Sequence, residues 1–462
     1  MLAFLSPRPS AIAAACLCAL ATSAQATSLA DTINAMAVNS WQKISLNTIS
    51  SVFTPLAQRP TADSPSSNIS AWSGAAFDSV RGNLMVWGGD IGNEQGNEVY
   101  QFNVLTGLWS RGSLPSQITS TNGVAHVVGG VNTAPLSGES WDNLVYLQGV
   151  DRLAVMGISR NGPTWLDPAT GRPTGPYFWN PALADATKVS GATGSQVNPS
   201  AFPNVVGGDM WQNRGNSLAF NGTSNGRHNG GTTAYAQVGG KDVVYITDTF
   251  DNLWRYTVND LNPANDTWVQ IGRRPVTGQS GWGSAALDTT NNLYLKSLTA
   301  TSFSFWDVDS QIGTSNRAVV VAPTITTGGA LPDFRNLGIQ YDATLDAFLM
   351  WDGSSAVWKL KAPSDLDANN DGKLDVGTGW TLERLNVAGT GPQIPAAYTG
   401  VYGKWQYMEG YNAYIGVIDP LAGDVFVYKA TAAVPEPDTM LMLLAGLGGL
   451  GVLARRRQRP GL

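Results

Sequence analysis

Short runs of apolar and aromatic residues, separated by Gly, Asn and Asp, recur along most of the chain. They are clearest between residues 71 and 115. Runs of this composition bounded by turn residues predict β-strands, and four in succession predict a four-stranded meander. The four runs of this first unit are residues 71–78, 84–87, 98–103 and 108–110.

The same unit returns at a period of about 50 residues, which is typical of a β-propeller with one sheet per repeat. The first strands of the copies fall near residues 71, 137, 232, 281, 335 and 398. We therefore expect an all-β fold with six blades. Seven blades are the alternative, because the stretch from 137 to 231 is long enough to contain a further, poorly patterned unit.

The last repeat is one strand short, and the N-terminal region supplies a candidate for that strand. Residues 40–46 have the pattern of a fourth strand, with Trp41 matching Trp109 and Trp268. Pairing of this segment with the last repeat would close the ring and leave no long open edge. The propeller is therefore predicted over residues 40–430, and a separate N-terminal edge strand is the alternative.

These units resemble the kelch-type blades of galactose-oxidase-like β-propellers. The glycine doublet of that family stands at Gly88-Gly89, whereas other doublets, such as Gly239-Gly240, are offset from the expected place. The resemblance implies the scaffold and not the copper chemistry of galactose oxidase, which needs histidine ligands and a cysteine-modified tyrosine. Only His126 and His228 exist, and they are not at a metal-ligand spacing.

The N-terminus reads as a secretory signal peptide over residues 1–26. It has a lone Arg8, an apolar run over 11–21 and a small-residue cleavage site at Ala24 and Ala26. Cleavage after Ala26 would remove both cysteines, so the exported chain would have neither disulfides nor a thiolate metal site. Lipoprotein attachment at Cys16 is a weaker alternative, since Ala13 stands where leucine is usual.

The C-terminus, residues 434–462, combines a Pro-Glu-Pro box, an apolar run over 439–454 and a basic end. This run of 16 residues would reach about 24 Å as a helix, short of the roughly 30 Å hydrocarbon core, so it spans a membrane only with help from its flanks. The basic end would stay on the cytoplasmic side. The residues are Val434, Pro435, Glu436 and Pro437, followed after the run by Arg455, Arg456 and Arg457.

This tail resembles a PEP-CTERM signal, which is also called an ice-binding-protein C-terminal domain. The resemblance implies recognition by an exosortase, transient anchoring by a single transmembrane helix, and release or re-anchoring of the cargo. An ordinary anchor that is never cut is the alternative. Both interpretations place the body of the chain outside the cytoplasm, at the cell surface or beyond it.

Composition limits the partners of that body. The chain has 28 basic and 34 acidic residues, and five of the arginines lie in the two terminal signals, so the exported part is the more acidic. Nucleic acid and anionic membrane surfaces are therefore improbable partners.

One loop has the pattern of a calcium site. Oxygen-bearing groups recur at alternate positions from residue 367, with Gly372 at the sharp turn, as in an EF-hand or dockerin loop. Position 12 is Thr378 instead of a bidentate acid, and no helices flank the loop. A plain hairpin loop is the alternative. The predicted ligands are Asp367, Asn369, Asp371, the Lys373 carbonyl and Asp375.

No catalytic constellation is visible, and no catalytic residue is predicted. The aromatic group at 177–179 is interpreted either as blade core or as a platform for a sugar ring. We expect a non-enzymatic surface or matrix protein that binds an extracellular polysaccharide or a surface protein. The alternative is a secreted glycan hydrolase or lyase with carboxylates at the mouth of the channel.

Overall fold

Six antiparallel sheets stand in a ring around a central channel, so the chain folds as a six-bladed β-propeller, as predicted. A computed structural model describes residues 28–89, 95–158, 165–191, 207–215, 231–276, 282–310, 313–395 and 399–431. Within these ranges the stretch from 137 to 231 contributes a single blade, and the seven-bladed alternative is not adopted.

The strands follow the repeats in chain order. β1 is Ser40–Lys43. Blade 1 is β2 (Gly74–Asp78), β3 (Asn83–Trp87), β4 (Tyr100–Asn103) and β5 (Leu108–Arg111). A hairpin of β6 (Ile118–Thr121) and β7 (Val124–Val127) precedes blade 2, which is β8 (Leu144–Leu147), β9 (Arg152–Val155), β10 (Tyr177–Trp179) and β11 (Trp211–Asn213). Blade 3 is β12 (Thr233–Val238), β13 (Lys241–Thr247), β14 (Leu253–Val258) and β15 (Thr267–Gly272).

Blade 4 is β16 (Ala285–Asp288), β17 (Leu293–Thr299), β18 (Ser302–Asp307) and β19 (Val319–Val321). Blade 5 is β21 (Gly338–Asp342), β22 (Ala347–Trp351), β23 (Val357–Lys361) and β24 (Thr381–Arg384), with β20 (Thr324–Ile325) added in parallel to β24. Blade 6 is β25 (Trp405–Met408), β26 (Ala413–Val417), β27 (Val425–Lys429) and β1. Two short helices precede the ring, α1 (Leu29–Ala35) and α2 (Ser67–Ser70).

The first strand of each blade is the innermost, and these six strands contact one another in sequence around the channel, with β25 closing onto β2. All six run in the same direction, because each blade repeats the same meander. We call the end at which they begin the entry face and the end at which they stop the exit face.

The N-terminal strand closes the ring as predicted. β1 pairs antiparallel with β27, with Trp41 opposite Tyr428. The Trp41 ring lies 5.5 Å from Trp351 and 5.6 Å from Trp405, centroid to centroid, and its indole N–H donates to the Ser355 carbonyl at 3.0 Å. One side chain thus ties the far N-terminus to blades 5 and 6 and removes an open edge.

Most tryptophans pack between or within blades. This packing is close at the glycine in β26, since a Cβ at Gly416 would lie only 2.5 Å from the Trp351 ring. Tyr177, Phe178 and Trp179 form β10 and are fully buried, so the platform interpretation of this aromatic group is wrong and the core interpretation is confirmed. Burial of these large rings stabilises the propeller.

Within the residues that the structure describes, no helix is both long enough and apolar enough to cross a membrane. The predicted transmembrane segment 439–454, the Pro-Glu-Pro box and the signal peptide lie outside those residues.

Candidate functional site

The approach to each inner strand places one residue at the entry face of the channel. In each blade, this residue stands five positions before the inner-strand residue whose side chain lies at the exit face. Most of the described residues at this position are aromatic. The described members are Trp72, Trp141, Trp282, Asn336 and Tyr402. Strands from different blades therefore gather aromatic rings at one end of the axis.

Trp141 is the centre of this group. Its ring lies 5.9 Å from Trp72, 5.8 Å from Trp282 and 5.1 Å from Tyr402, centroid to centroid. We call these four residues the entry-face aromatic cluster. They come from blades 1, 2, 4 and 6, so the cluster exists only in the closed ring.

The backbone at the cluster is constrained. Trp141 and Tyr402 have φ of 50° and 49°, a left-handed conformation that bulky residues rarely adopt. The N–H of Trp141 donates to the Trp72 carbonyl at 2.8 Å. A Cβ at Gly74 would lie 2.3 Å from the Trp141 carbonyl oxygen, so only glycine fits there. Backbone conformations of this kind persist where the surroundings impose them, and they concentrate at functional sites.

The cluster is buried at its centre and open at its edge. Trp141 is 8% exposed and Trp282 is 39% exposed. The indole N–H of Trp141 has no hydrogen-bond partner among the described residues. The Trp141 N–H is itself shielded from solvent, so the exposed part of the cluster is the Trp282 ring.

Charged groups border the exposed ring. The Arg335 guanidinium lies 5.8 Å from the centroid of the Trp282 ring, and it donates to both carboxylate oxygens of Asp333, at 2.9 and 2.6 Å. These hydrogen bonds lower the pKa of Asp333. Burial, followed by the charges of Asp333 and Glu139, raises the pKa of Tyr402, so its hydroxyl stays neutral and donates to the Thr399 carbonyl at 2.7 Å.

Two buried ionisable residues close the channel beneath the cluster. The Lys404 amine donates to the Ser73 carbonyl at 2.8 Å, and burial lowers its pKa to about 7. The carboxylate of Asp142 accepts from the backbone N–H of Ala285 at 2.9 Å, and burial raises its pKa well above the ordinary range. Burial thus shifts each pKa in the direction that favours the neutral form of the group.

The predicted calcium loop lies between β23 and β24. The Asp367 carboxylate accepts from the N–H groups of Asp371 at 3.1 Å and Gly372 at 2.8 Å, and the Asn369 amide donates to Asp371 at 3.1 Å. The N–H of Asp375 donates to the Leu366 carbonyl at 2.8 Å. In the described part of the chain, no three His, Cys, Asp or Glu residues are grouped to hold a metal. The calcium site stays a prediction.

His126 lies outside the entry-face aromatic cluster. It lies in the β6–β7 hairpin, where its ring nitrogens lie 2.9 Å from the Thr121 hydroxyl and 2.8 Å from the Val127 carbonyl. His228 falls outside the described residues, as do the predicted cleavage and sorting residues at the two termini.

Sequence reasoning did not identify the cluster, although a signal was present. Aligning residues 71–78 with 281–288 places Trp72 and Trp282 at the same position of the repeat. Aligning the run before β8 adds Trp141. Aromatic residues that precede the innermost strand of different blades lie close to the axis, whereas aromatics on the outer strands pack between blades.

Comparison with known proteins identifies one family model, the PEP-CTERM protein-sorting motif, which matches residues 433–458. No sequence among curated proteins matches the chain. Among solved structures, a structural-genomics protein of unknown function from Bacteroides thetaiotaomicron VPI-5482 is similar, with 11% identity and a TM-score of 0.36 over 84% of this chain and 75% of that chain. The chain thus carries a PEP-CTERM protein-sorting motif behind a six-bladed β-propeller, and this motif marks an exported protein that an exosortase processes.

Proposed function

We propose that the protein is a non-enzymatic surface or matrix protein that binds an extracellular polysaccharide through the entry-face aromatic cluster. The observation that carries this proposal is the convergence of aromatic rings from four blades at one mouth of the channel, with the Trp282 ring exposed. The sorting motif supports it, because it delivers the propeller to the compartment in which such polymers occur.

The chemistry of the cluster fits a sugar ring. One face of a pyranose presents C–H groups that pack on an aromatic surface, while its edges present hydroxyls that need donors and acceptors. Trp282 offers the aromatic surface, and Arg335 with Asp333 offers donors and acceptors at its border. A shallow platform of this kind suits units within a polymer.

Binding of soluble polysaccharides to the exported protein, measured by affinity electrophoresis, tests the proposal. Trp282→Ala removes the exposed ring and should weaken the retardation at least about tenfold, equivalent to about 1.4 kcal/mol. Trp268→Ala, at a half-buried tryptophan on the outer strand β15, is the matched control and should leave binding unchanged. Equal binding by all three proteins would overturn this site.

A glycan hydrolase or lyase remains the second function to test, because Asp142 is a buried acid with a raised pKa on the channel axis. A reducing-sugar assay and an ultraviolet assay for unsaturated ends, run on every polysaccharide that binds, separate the two functions. Turnover that Asp142→Asn abolishes would replace the binding proposal with the enzymatic one.

A further inference from the structure

The exit face has a second ring of side chains, distinct from the entry-face aromatic cluster. Each inner strand contributes one member, which stands next to the last residue of the strand in every blade except blade 3. These six residues border a cavity of about 410 Å³ that has Asp142 in its lining, a volume within the range of small-ligand sites. The members are Phe77, Tyr146, Tyr235, Leu287, Tyr341 and Tyr407, and we call the cavity the tyrosine pocket.

A repeated hydrogen bond fixes three of the tyrosine rings. In each case the hydroxyl lies close to a side-chain oxygen of the residue five positions later, at the turn into the second strand. The acceptor residues all have left-handed φ, between 46° and 54°. The pairs are Tyr146 with Asp151 at 2.7 Å, Tyr341 with Asp346 at 2.9 Å, and Tyr407 with Asn412 at 2.9 Å.

The fourth tyrosine has the same arrangement in a longer hairpin, since the Tyr235 hydroxyl donates to Asp242 at 2.6 Å. In blade 1 the corresponding residue is Phe77, which has no hydroxyl to donate, and the residue five positions later is Gly82. Blade 4 has Leu287 in the ring, and there the residue five positions later is Asn292, whose amide instead donates to Asp309 at 2.7 Å. Rings held in this way are oriented before a ligand arrives, which lowers the entropy that binding costs.

Blade 1 further anchors one of these acceptors. The Arg81 guanidinium donates to both carboxylate oxygens of Asp151, at 2.7 and 2.6 Å, and these bonds lower the pKa of Asp151 to about 2. Asp151 therefore stays ionised as the acceptor for Tyr146. The wall of the pocket is stiffened by contacts between neighbouring blades.

Two glutamines supply polar groups to the wall. The side-chain amide N–H of Gln340 donates to the Trp405 carbonyl at 3.0 Å, and that of Gln406 donates to the Gly403 carbonyl at 2.7 Å. These bonds fix each amide with its oxygen left to accept from a ligand hydroxyl. Asp142 adds a carboxyl group whose pKa is raised by burial.

The pocket is blind. Asp142 reaches from blade 2 to the backbone N–H of Ala285 in blade 4, at 2.9 Å. Next to it, a Cβ at Gly403 would lie 3.1 Å from the Asp142 carboxylate and 3.0 Å from the Ala75 carbonyl. The channel is therefore filled between its two mouths, and a ligand can enter the pocket only from the exit face.

We propose that the tyrosine pocket is a second binding site, which takes the terminal residue of an uncharged glycan. Fixed aromatic walls and amide acceptors match a hydroxyl-rich ring, and no Lys, Arg or His is among the described residues that line the pocket. A closed inner end admits the end of a chain and excludes its middle. The site does not depend on polysaccharide binding at the entry face.

Isothermal titration of the full-length protein with free glucose, galactose, mannose and N-acetylglucosamine tests this proposal. We expect at least one of the four to bind saturably. Ala343 is exposed at the rim of the pocket, so Ala343→Trp should obstruct the mouth without altering a blade core, and it should abolish the heat. Tyr341→Ala removes one wall and should weaken binding at least about tenfold.

Trp282→Ala is the control from the opposite face and should bind the monosaccharide like the wild type. Trp282→Ala tests polymer binding at the entry face, and Ala343→Trp tests monosaccharide binding in the tyrosine pocket. The two results are independent, so either proposal can fail alone. The pocket proposal is overturned if none of the four sugars binds, if Ala343→Trp binds normally, or if choline or glucuronate binds in their place. Circular dichroism of each variant checks the fold.

Discussion

The Asp142 carboxylate accepts a hydrogen bond from the backbone N–H of Ala285 at 2.9 Å, and this bond joins blade 2 to blade 4 inside the channel. The preceding residue, Trp141, is the centre of the entry-face aromatic cluster. Two consecutive residues therefore face opposite ends of the axis, and together they separate the two mouths.

Lys404 makes the stability of the propeller depend on pH. The unfolded chain keeps this amine protonated up to its ordinary pKa of 10.5, whereas the folded protein releases the proton above about 7. The unfolded state then binds more protons, so the free energy of unfolding should rise as the pH increases from about 7 to about 10. Urea denaturation across this range measures the rise.

Lys404→Met is the matching variant, since it keeps the length of the side chain and removes the charge. It should flatten this part of the pH profile and raise stability at about pH 6, where the wild type must bury a charged amine. An unchanged slope in the variant would show that another group is responsible.

Trp41→Ala should open the ring at its closing blade. The side chain is 6% exposed, and its ring packs on those of Trp351, Trp405 and Tyr428. Removal of a buried tryptophan costs about 3–5 kcal/mol, which denaturant titration would detect as a lower midpoint. Trp41→Phe keeps part of the packing and should lower the free energy of unfolding clearly less than Trp41→Ala does. Equal losses in the two variants would argue against a packing role for this ring.

Removal of residues 434–462 should leave the propeller folded and change only its destination. The last strand of the ring, β27, ends at Lys429. The truncated protein should therefore keep the thermal transition of the full chain while it is no longer processed at the cell envelope, as followed by fractionation and immunoblotting. A lowered transition temperature would assign the tail to the fold.

Calcium should bind weakly to the loop between β23 and β24, with a dissociation constant of about 10⁻⁴ to 10⁻³ M as in extracellular modules. Calorimetry should detect a calcium-dependent heat that Asp371→Ala removes. Asp365→Asn is the control, because Asp365 lies next to the predicted ligands without being one of them. Absence of heat with the wild-type protein would leave the loop as a plain turn.

The architecture could be predicted because each blade repeats a local pattern that can be recognised without knowledge of the other blades. The closing strand was predictable for the same reason, since Trp41 stands where Trp109 and Trp268 stand in their own repeats. The structure places all three on the fourth strand of a blade.

The sites were harder to predict, because aromatic identity does not reveal burial. Trp179 and Trp282 look alike in sequence, yet the first is fully buried within β10 and the second is exposed at the channel mouth. Their surroundings are set by which other blades approach them. The position of Trp141 also depends on a left-handed backbone that no residue pattern indicates.

In the five blades whose entry-face position is described, a residue just ahead of the inner strand lies at the entry face, and the residue five positions later borders the tyrosine pocket. A blade therefore acts as a module that carries one wall of each site. Duplication or loss of a blade would change the number of residues around both mouths at once. A substitution at one of the two positions in a blade would change one mouth alone. This arrangement lets a repeat protein diversify two recognition surfaces without altering how its blades pack.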